Sequence, residues 1–353
     1  MMKPSFDVGS HKIGQGQNPF IIAEVGINHN GDLSRALQMI EVAKQSGADC
    51  VKFQTFKADE FVGDKAQKFT YRSQGKEVTE SMYEMFKRYE LAETDWREIK
   101  KECERLDIAF LSTPQNKSDL ALLLKVGVNA VKVGSDDFTN LPLLKEFATT
   151  GLPLFVSCGM SDLSEVYQAL SSIGTFDGYP TLLLLCTSQY PTPPEDVNLQ
   201  KLATLSNAFP GLPLGFSDHT QGPLASSLAV AMGACVFEKH FTLDNNLPGP
   251  DHWFSENPEN LKIWVSSIRI AHQMMGSALV RPTPKEMEMR TLARRSIVAL
   301  KDIREGEVLD EDNIGLRRPG NGLSPQLFPQ ILGQRAFKAI AKGSLIQLGE
   351  FIR

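Results

Sequence analysis

The sequence predicts an α/β fold, a (β/α)8 (TIM) barrel followed by a small, mostly β domain. Three observations carry the prediction. Eight short apolar runs recur over the first three-quarters of the chain, helical patterns separate them, and nearly every run ends in a polar or charged residue. Buried parallel strands have no packing use for Glu, Lys, Ser or His at their carboxyl ends, yet that is the face on which barrels build chemistry.

The runs are residues 20–24 (FIIAE), 48–54 (ADCVKFQ), 108–113 (IAFLST), 130–135 (AVKVGS), 153–158 (PLFVSC), 181–188 (TLLLLCTS), 213–219 (PLGFSDH) and 234–240 (ACVFEKH). After the first, Asp32 is placed to cap a helix in which Leu33, Ala36, Leu37, Ile40 and Ala43 recur with helical spacing, and Gly47 ends it. Residues 95–106, 118–126, 141–149, 163–172, 199–209, 221–232 and 258–275 repeat the scheme. A doubly wound sheet is the competing architecture, but no GxGxxG phosphate loop follows the first strand. Two long excursions, 57–93 and 241–257, follow strand carboxyl ends and are expected to cover the mouth. The barrel is placed at 1–276, with an N-terminal extension at 1–19. A charged, Pro-containing stretch at 277–294 reads as a linker. Residues 295–353, with β-prone runs (SIVAL, RAFKAI, SLIQ), acidic turns and PGNG, read as a compact β domain.

A length of 353 residues exceeds one ordinary core, and 42% hydrophobic with 22% charged residues is a globular composition. The net charge, 37 − 42 = −5, gives no basic field for nucleic acid. No apolar stretch approaches the roughly 20 residues of a membrane span, and the amino terminus lacks a signal-like segment, so a cytoplasmic protein is expected. None of the five cysteines shows zinc spacing; they are expected to be reduced and buried.

Strand side chains alternate between the lumen and the outer helices. Ser217 and His219 share parity on the seventh strand, as do Glu238 and His240 on the eighth, so the two imidazoles should converge. Closure brings Glu24 of the first strand beside them. Two imidazoles near a carboxylate suit a divalent ion, Mn2+ first, with Mg2+ or Co2+ as alternatives; hydrogen-bonded loop histidines are the plainer reading. Lys52 and Lys132 are inward and need an anion. With the hydroxyls of Ser112, Thr113, Ser157 and Ser217 they describe a pocket for phosphate and carboxylate. Glu24 is the acid–base candidate, or else a group that only orients water or a histidine. Asn28, His29 and Asn30 in the first β–α loop suit either sugar hydroxyls or a turn. Tyr190 and Asp251 are expected on mouth loops in contact with substrate, His252 in either role, and His11 and His272 in structural ones.

Seven strings, IIAEVGINHNGD, GADCVKFQTFKADE, KVGSDDFTNLPLL, CTSQYPTPPEDVNL, GFSDHTQG, FEKHFTLDNNLPGPDH and RRPGNG, resemble the sialic acid synthase family over essentially the whole chain. The resemblance implies a TIM barrel with an antifreeze-like (SAF) β-clip domain, in a homodimer whose terminal domains cover the partner's site. It implies condensation of phosphoenolpyruvate with N-acetylmannosamine and water, giving N-acetylneuraminate and phosphate. Metal would fall on His219 and His240, and acid–base work on Glu24. Phosphoenolpyruvate would lie among Lys52, Lys132, Ser135, Ser157 and Ser217, with Ser188 and Tyr190 near it. The acceptor would meet Gln54, Asp251 and Arg318. Ser188 stands where some relatives carry Asn, and SDDFTN departs from an SGDLTN-like form. The alternatives are a legionaminate or pseudaminate synthase using a 2,4-diacetamido-6-deoxyhexose, and a carbohydrate-binding module without catalysis.

Overall fold

Each apolar run forms a strand: β1 (Phe20–Gly26), β2 (Cys50–Thr55), β3 (Ala109–Pro114), β4 (Val131–Val133), β5 (Leu154–Ser157), β6 (Thr181–Cys186), β7 (Leu214–Ser217) and β8 (Val236–His240). They follow one another in chain order as a closed barrel, β8 pairing in parallel with β1. The computed structural model of the chain describes residues 2–352. The chain divides into two units, Met1–Gly276 and Ser277–Arg353.

Strand alternation sorts the first unit into two cores. Ile21, Ala23 and Val25 face outward and pack with the helical Ala36, Met39 and Ile40. Phe20 and Ile22 face inward and join Cys50, Leu111, Phe155, Leu182, Leu184 and Val236 in the lumen. An antiparallel hairpin, Ser5–Val8 with His11–Gly14, adds Phe6, Val8 and Ile13 to that lumen cluster, so the extension plugs the amino-terminal end. One step further along the same inward rows the apolar filling stops, and Glu24, Lys52, Lys132, Ser157 and Glu238 follow.

The helices form where periodicity and caps place them, with ends shifted by a residue or a few. Asp32 accepts from the Arg35 N–H and starts Leu33–Gln45, which buries Ala36, Met39, Ile40 and Ala43. The last barrel helix, Pro258–Met275, buries Trp264, whose indole N–H donates to Ser226 Oγ at 2.9 Å.

The excursion at 57–93 is more ordered than a loop. It holds a short helix (Ala58–Phe61), a hairpin (Lys68–Ser73 with Lys76–Ser81) and a second helix (Met82–Tyr89). It is fastened to the other excursion by Gln74 donating to Asn246 O at 3.0 Å and Gly249 N–H to Ser73 Oγ at 3.1 Å. The Arg72 guanidinium also lies 5.2 Å from the Trp253 ring centroid.

In the second unit, the stretch expected to be a linker contains a helix, Pro284–Ala293. Thr283 and Glu286 form a capping box and Pro284 opens the first turn, local signals strong enough to start a helix that buries no residue. Beyond it Ser296–Ala299 pairs antiparallel with Ile314–Arg317 around Ile297, Ile303, Leu309, Ile331 and Ile346. Among the described residues no helix is long and apolar enough to cross a membrane, and all five cysteines are free and buried.

Candidate active site

Barrel register places the charged groups side by side. His240 is opposite Glu24, Glu24 opposite Lys52, and Ser217 opposite Glu238. The register slips between Glu24 and Gly26, and Gly26 adopts φ +54°. A Cβ there would stand 3.3 Å from Glu24 Oε1 and 3.6 Å from the His240 ring, so glycine leaves room for both.

The two lysines, for which the sequence requires an anion, meet two carboxylates of the chain itself. Lys52 Nζ lies 2.9 Å from Glu24 Oε2 and 3.7 Å from Glu238 Oε2. Lys132 Nζ lies 3.8 Å from Glu238 Oε1, and none of the four side chains is more than 5% exposed. Ammonium and carboxylate groups each carry a desolvation penalty of several kcal/mol at such burial, so they persist as an array. The Glu24–Lys52 approach is an ionic contact rather than an aligned hydrogen bond, since Glu24 Oε2 has no hydrogen-bond partner. Gln54 Nε2 reaches Glu24 Oε1 at 3.5 Å, and Lys52 donates to Thr113 Oγ1 at 3.4 Å.

Burial pushes the Glu24 carboxyl up to about 7, outweighing the nearby Lys52 charge. Burial acts the same way on Glu238, but Lys132 and Lys52 overcome it and hold that carboxyl below its ordinary range. Burial lowers Lys132, while at Lys52 the attraction of Glu238 and Glu24 overcomes burial and raises it. Raised values at both Glu24 and Lys52 look contradictory for one ion pair. They are reconciled by Glu238: of two carboxylates sharing two ammonium groups, Glu238 keeps the charge and Glu24 the proton.

A row of hydroxyls lies at the ends of β4 to β7. The Gly159 N–H donates to Ser135 Oγ at 3.0 Å, and Ser217 Oγ donates to Glu238 Oε1 at 3.0 Å. A Cβ at Gly159 would fall 2.5 Å from the Ser188 hydroxyl and 2.6 Å from that of Ser135. Ser157 Oγ is buried without a partner, which marks a place where a ligand atom can complete the hydrogen bonding.

The imidazoles of His219 and His240 have ring centroids 5.5 Å apart. Tyr190 packs against His219 at 4.1 Å and meets His240 edge-on at 5.7 Å. His219 Nδ1 donates to Thr187 O at 2.7 Å, which leaves the lone pair on Nε2. His240 Nδ1 is buried with no hydrogen-bond partner, and Asp251 Oδ2 lies 4.0 Å from it. The outward neighbours of the two histidines brace them. Lys239 Nζ is 3.0 Å from Asp218 Oδ2, which also accepts from Ser226 Oγ at 2.6 Å. Two imidazoles lining one cavity are donors of the type a divalent ion takes. Among the described residues no three His, Cys, Asp or Glu gather into a metal-binding group, so no third such side chain completes a site with the two imidazoles.

These groups share one cavity of about 410 Å3. Glu24, Lys52, Gln54, Thr113, Lys132, Ser135, Ser157, Ser188, Tyr190, Ser217, His219 and His240 all line it. Asp251, expected in contact with substrate, is not among the lining residues, its Oδ2 lying 4.0 Å from His240 Nδ1; Arg318 is exposed in the second unit, directly after Ile314–Arg317. A larger cavity of about 560 Å3 lies at the amino-terminal ends of the strands, lined in part by His11, Asp49, Arg269 and His272. Its Arg269 and Asp49 are engaged with each other at 2.6 Å, and barrel chemistry belongs to the other face.

One expectation changes and two open ones narrow to the structural alternative. Ser112 turns outward and bonds Thr55 Oγ1 at 2.7 Å, leaving Thr113 as the inward hydroxyl. Asn28 donates to Phe241 O and Asn30 to Pro248 O, while His29 Nδ1 accepts from the Gly31 N–H, so this loop anchors the covering excursion. His252 is likewise engaged, with Thr242 and Asn30. The cavity gains groups that sequence reasoning left out: Glu238, Asp136, Gln115, Met160 and the phenylalanines Phe61, Phe69 and Phe86. Glu238 shares parity with His240 but carries no role in the sequence reading; the phenylalanines lie in an excursion read only as a covering loop.

A closed barrel with a carboxylate, ammonium and imidazole array at the carboxyl ends of its strands is the architecture of a barrel enzyme. The chain belongs to the NeuB family, whose model matches residues 39–279, and an SAF domain model matches residues 294–351. It is 42% identical over 337 residues to the N,N'-diacetyllegionaminic acid synthase of Legionella pneumophila, covering 94% of each chain. It is 40% identical over 329 residues to the synthase of that name from Campylobacter jejuni, covering 93% of this chain and 98% of that one. A crystal structure of the N-acetylneuraminic acid synthetase of Leptospira borgpetersenii, in complex with citrate, superposes with a TM-score of 0.73 at 32% identity. It covers 82% of this chain and 95% of that one.

Proposed function

We propose that this protein condenses phosphoenolpyruvate with an N-acetylated hexose and water, releasing phosphate and a nine-carbon 2-keto-3-deoxy sugar acid. The observation that carries the reading is the Glu24–Lys52–Glu238–Lys132 array sharing one cavity with two imidazoles and a row of serine hydroxyls. Lys52 and Lys132 meet the carboxylate and phosphate of phosphoenolpyruvate, and Ser135, Ser157, Ser188 and Ser217 supply further hydrogen bonds. That hold directs the methylene carbon toward the aldehyde carbon of the open-chain sugar. The new carbon–carbon bond leaves positive charge on the enol carbon; water adds there, loses a proton, and the carbon–oxygen bond to phosphate breaks. Glu24 exchanges a proton with the aldehyde oxygen in this reading, which its pKa of about 7, raised by burial, supports. His219 and His240 would hold a divalent ion, Mn2+ before Mg2+ or Co2+, which supplies Lewis-acid polarisation of that oxygen. In a homodimer, Arg318 of one copy would meet the sugar held by the other.

N-acetylmannosamine is the acceptor the sequence favoured. A 2,4-diacetamido-6-deoxyhexose is supported by two relatives at 42% and 40% identity named as diacetyllegionaminic acid synthases. The test is phosphate release from phosphoenolpyruvate across a panel of N-acetylated hexoses, with and without chelator. Release that needs both a sugar and a metal supports the reading. No release with any sugar sinks it and leaves the binding-module alternative.

A further inference from the structure

The cavity lining joins two chemically different groups of residues. Serine hydroxyls and lysines line the cavity, and so do Phe61, Phe69 and Phe86, an aromatic surface. All three phenylalanines come from the excursion after β2. Phe61 and Phe86 pack edge-to-face at 5.0 Å, which fixes their planes. Phe69 stacks on Tyr71 at 5.7 Å and remains 36% exposed, a large apolar ring on a hairpin where a polar residue would serve the fold as well. The hairpin is held in place from the far side by Gln74, Ser73 and Arg72. A wall this apolar gives no hydrogen-bond partner to a sugar hydroxyl, but it packs well against methyl groups.

The geometry points to Phe61, Phe69 and Phe86 as the residues that select the acceptor, favouring a 2,4-diacetamido-6-deoxyhexose over N-acetylmannosamine. The inference rests on the synthase reading and names the substrate class of that same site. The favoured sugar offers a C6 methyl and a second acetyl methyl where N-acetylmannosamine offers hydroxyls. Each methyl seated on an aromatic face adds to discrimination. Each hydroxyl placed there loses its water without replacement, and one methylene in an apolar pocket is worth roughly 10- to 200-fold in kcat/KM.

The test measures kcat/KM for both sugars at saturating phosphoenolpyruvate and Mn2+, by phosphate release. The wild type is expected to favour the diacetamido sugar by roughly 100-fold. Phe69→Ser, on an exposed hairpin that keeps the fold, should cut that ratio roughly tenfold with the KM for phosphoenolpyruvate unchanged. Phe69→Leu, which keeps an apolar surface, should restore most of the ratio, and Phe86→Leu provides a second probe of the wall. Phosphate from both sugars at similar kcat/KM overturns this inference alone. So does a preference that neither Phe69→Ser nor Phe86→Leu alters. No phosphate from either sugar overturns the synthase reading, and this inference with it.

Discussion

Replacing Glu24 with Gln isolates the most perturbed carboxyl in the array at nearly constant shape. Burial raises the Glu24 carboxyl from 4.5 to about 7 in the folded protein. Between those values the folded chain holds a proton that the unfolded chain has released, so Glu24 contributes stability fully below pH 4.5 and loses it as pH rises through 7. At about 1.4 kcal/mol per pKa unit the full contribution is on the order of 3 kcal/mol. Glu24→Gln removes this dependence, so stability relative to wild type should improve by that order between pH 4.5 and pH 8. The assay is denaturant unfolding followed by tryptophan fluorescence, because Trp96, Trp253 and Trp264 all lie in the barrel unit. The same variant should lose roughly 100- to 10,000-fold in kcat if Glu24 moves the proton. Wild type and variant curves that run parallel across this window would refute the proton assignment.

Three other outcomes follow from the geometry. His240→Ala should abolish Mn2+ binding by calorimetry and lower turnover at least about 100-fold while the barrel stays folded; activity retained in chelator refutes the metal role. Gly159→Ala, whose Cβ would crowd the Ser135 and Ser188 hydroxyls, should lower kcat/KM for phosphoenolpyruvate roughly 10- to 100-fold. An unchanged value would remove those serines from the anion site. Arg318→Ala should raise the KM for sugar roughly tenfold and spare that for phosphoenolpyruvate; equal losses would count against an arginine that reaches the sugar.

The barrel was legible because period-two strands and period-3.6 helices leave unmistakable patterns, and strand parity placed Glu24, Lys52, Lys132, His219 and His240 on one rim. Parity carries no information about reach. Glu238 reaches both lysines, so the anion that the sequence reading assigns wholly to a ligand is supplied in part by the chain's own carboxylates. Loop residues were legible as chemistry but not as destination: Asn28 and Asn30 carry amides fit for a sugar, yet backbone carbonyls 213 and 218 residues away take them. The phenylalanine wall comes from an excursion legible only as a covering loop, although its helix Met82–Tyr89 buries Met85 and Tyr89. The helix at Pro284–Ala293 was hidden differently, since its capping signals stand in a charged stretch with no apolar stripe.

Diffraction from crystals soaked with Mn2+ and phosphoenolpyruvate, with anomalous data collected near the manganese edge, tests the convergence of metal and anion on one rim. The account predicts an anomalous peak against His219 and His240, with the phosphate and carboxylate of phosphoenolpyruvate against Lys52, Lys132 and the serine row. A peak elsewhere, or phosphoenolpyruvate bound away from both lysines, would contradict it.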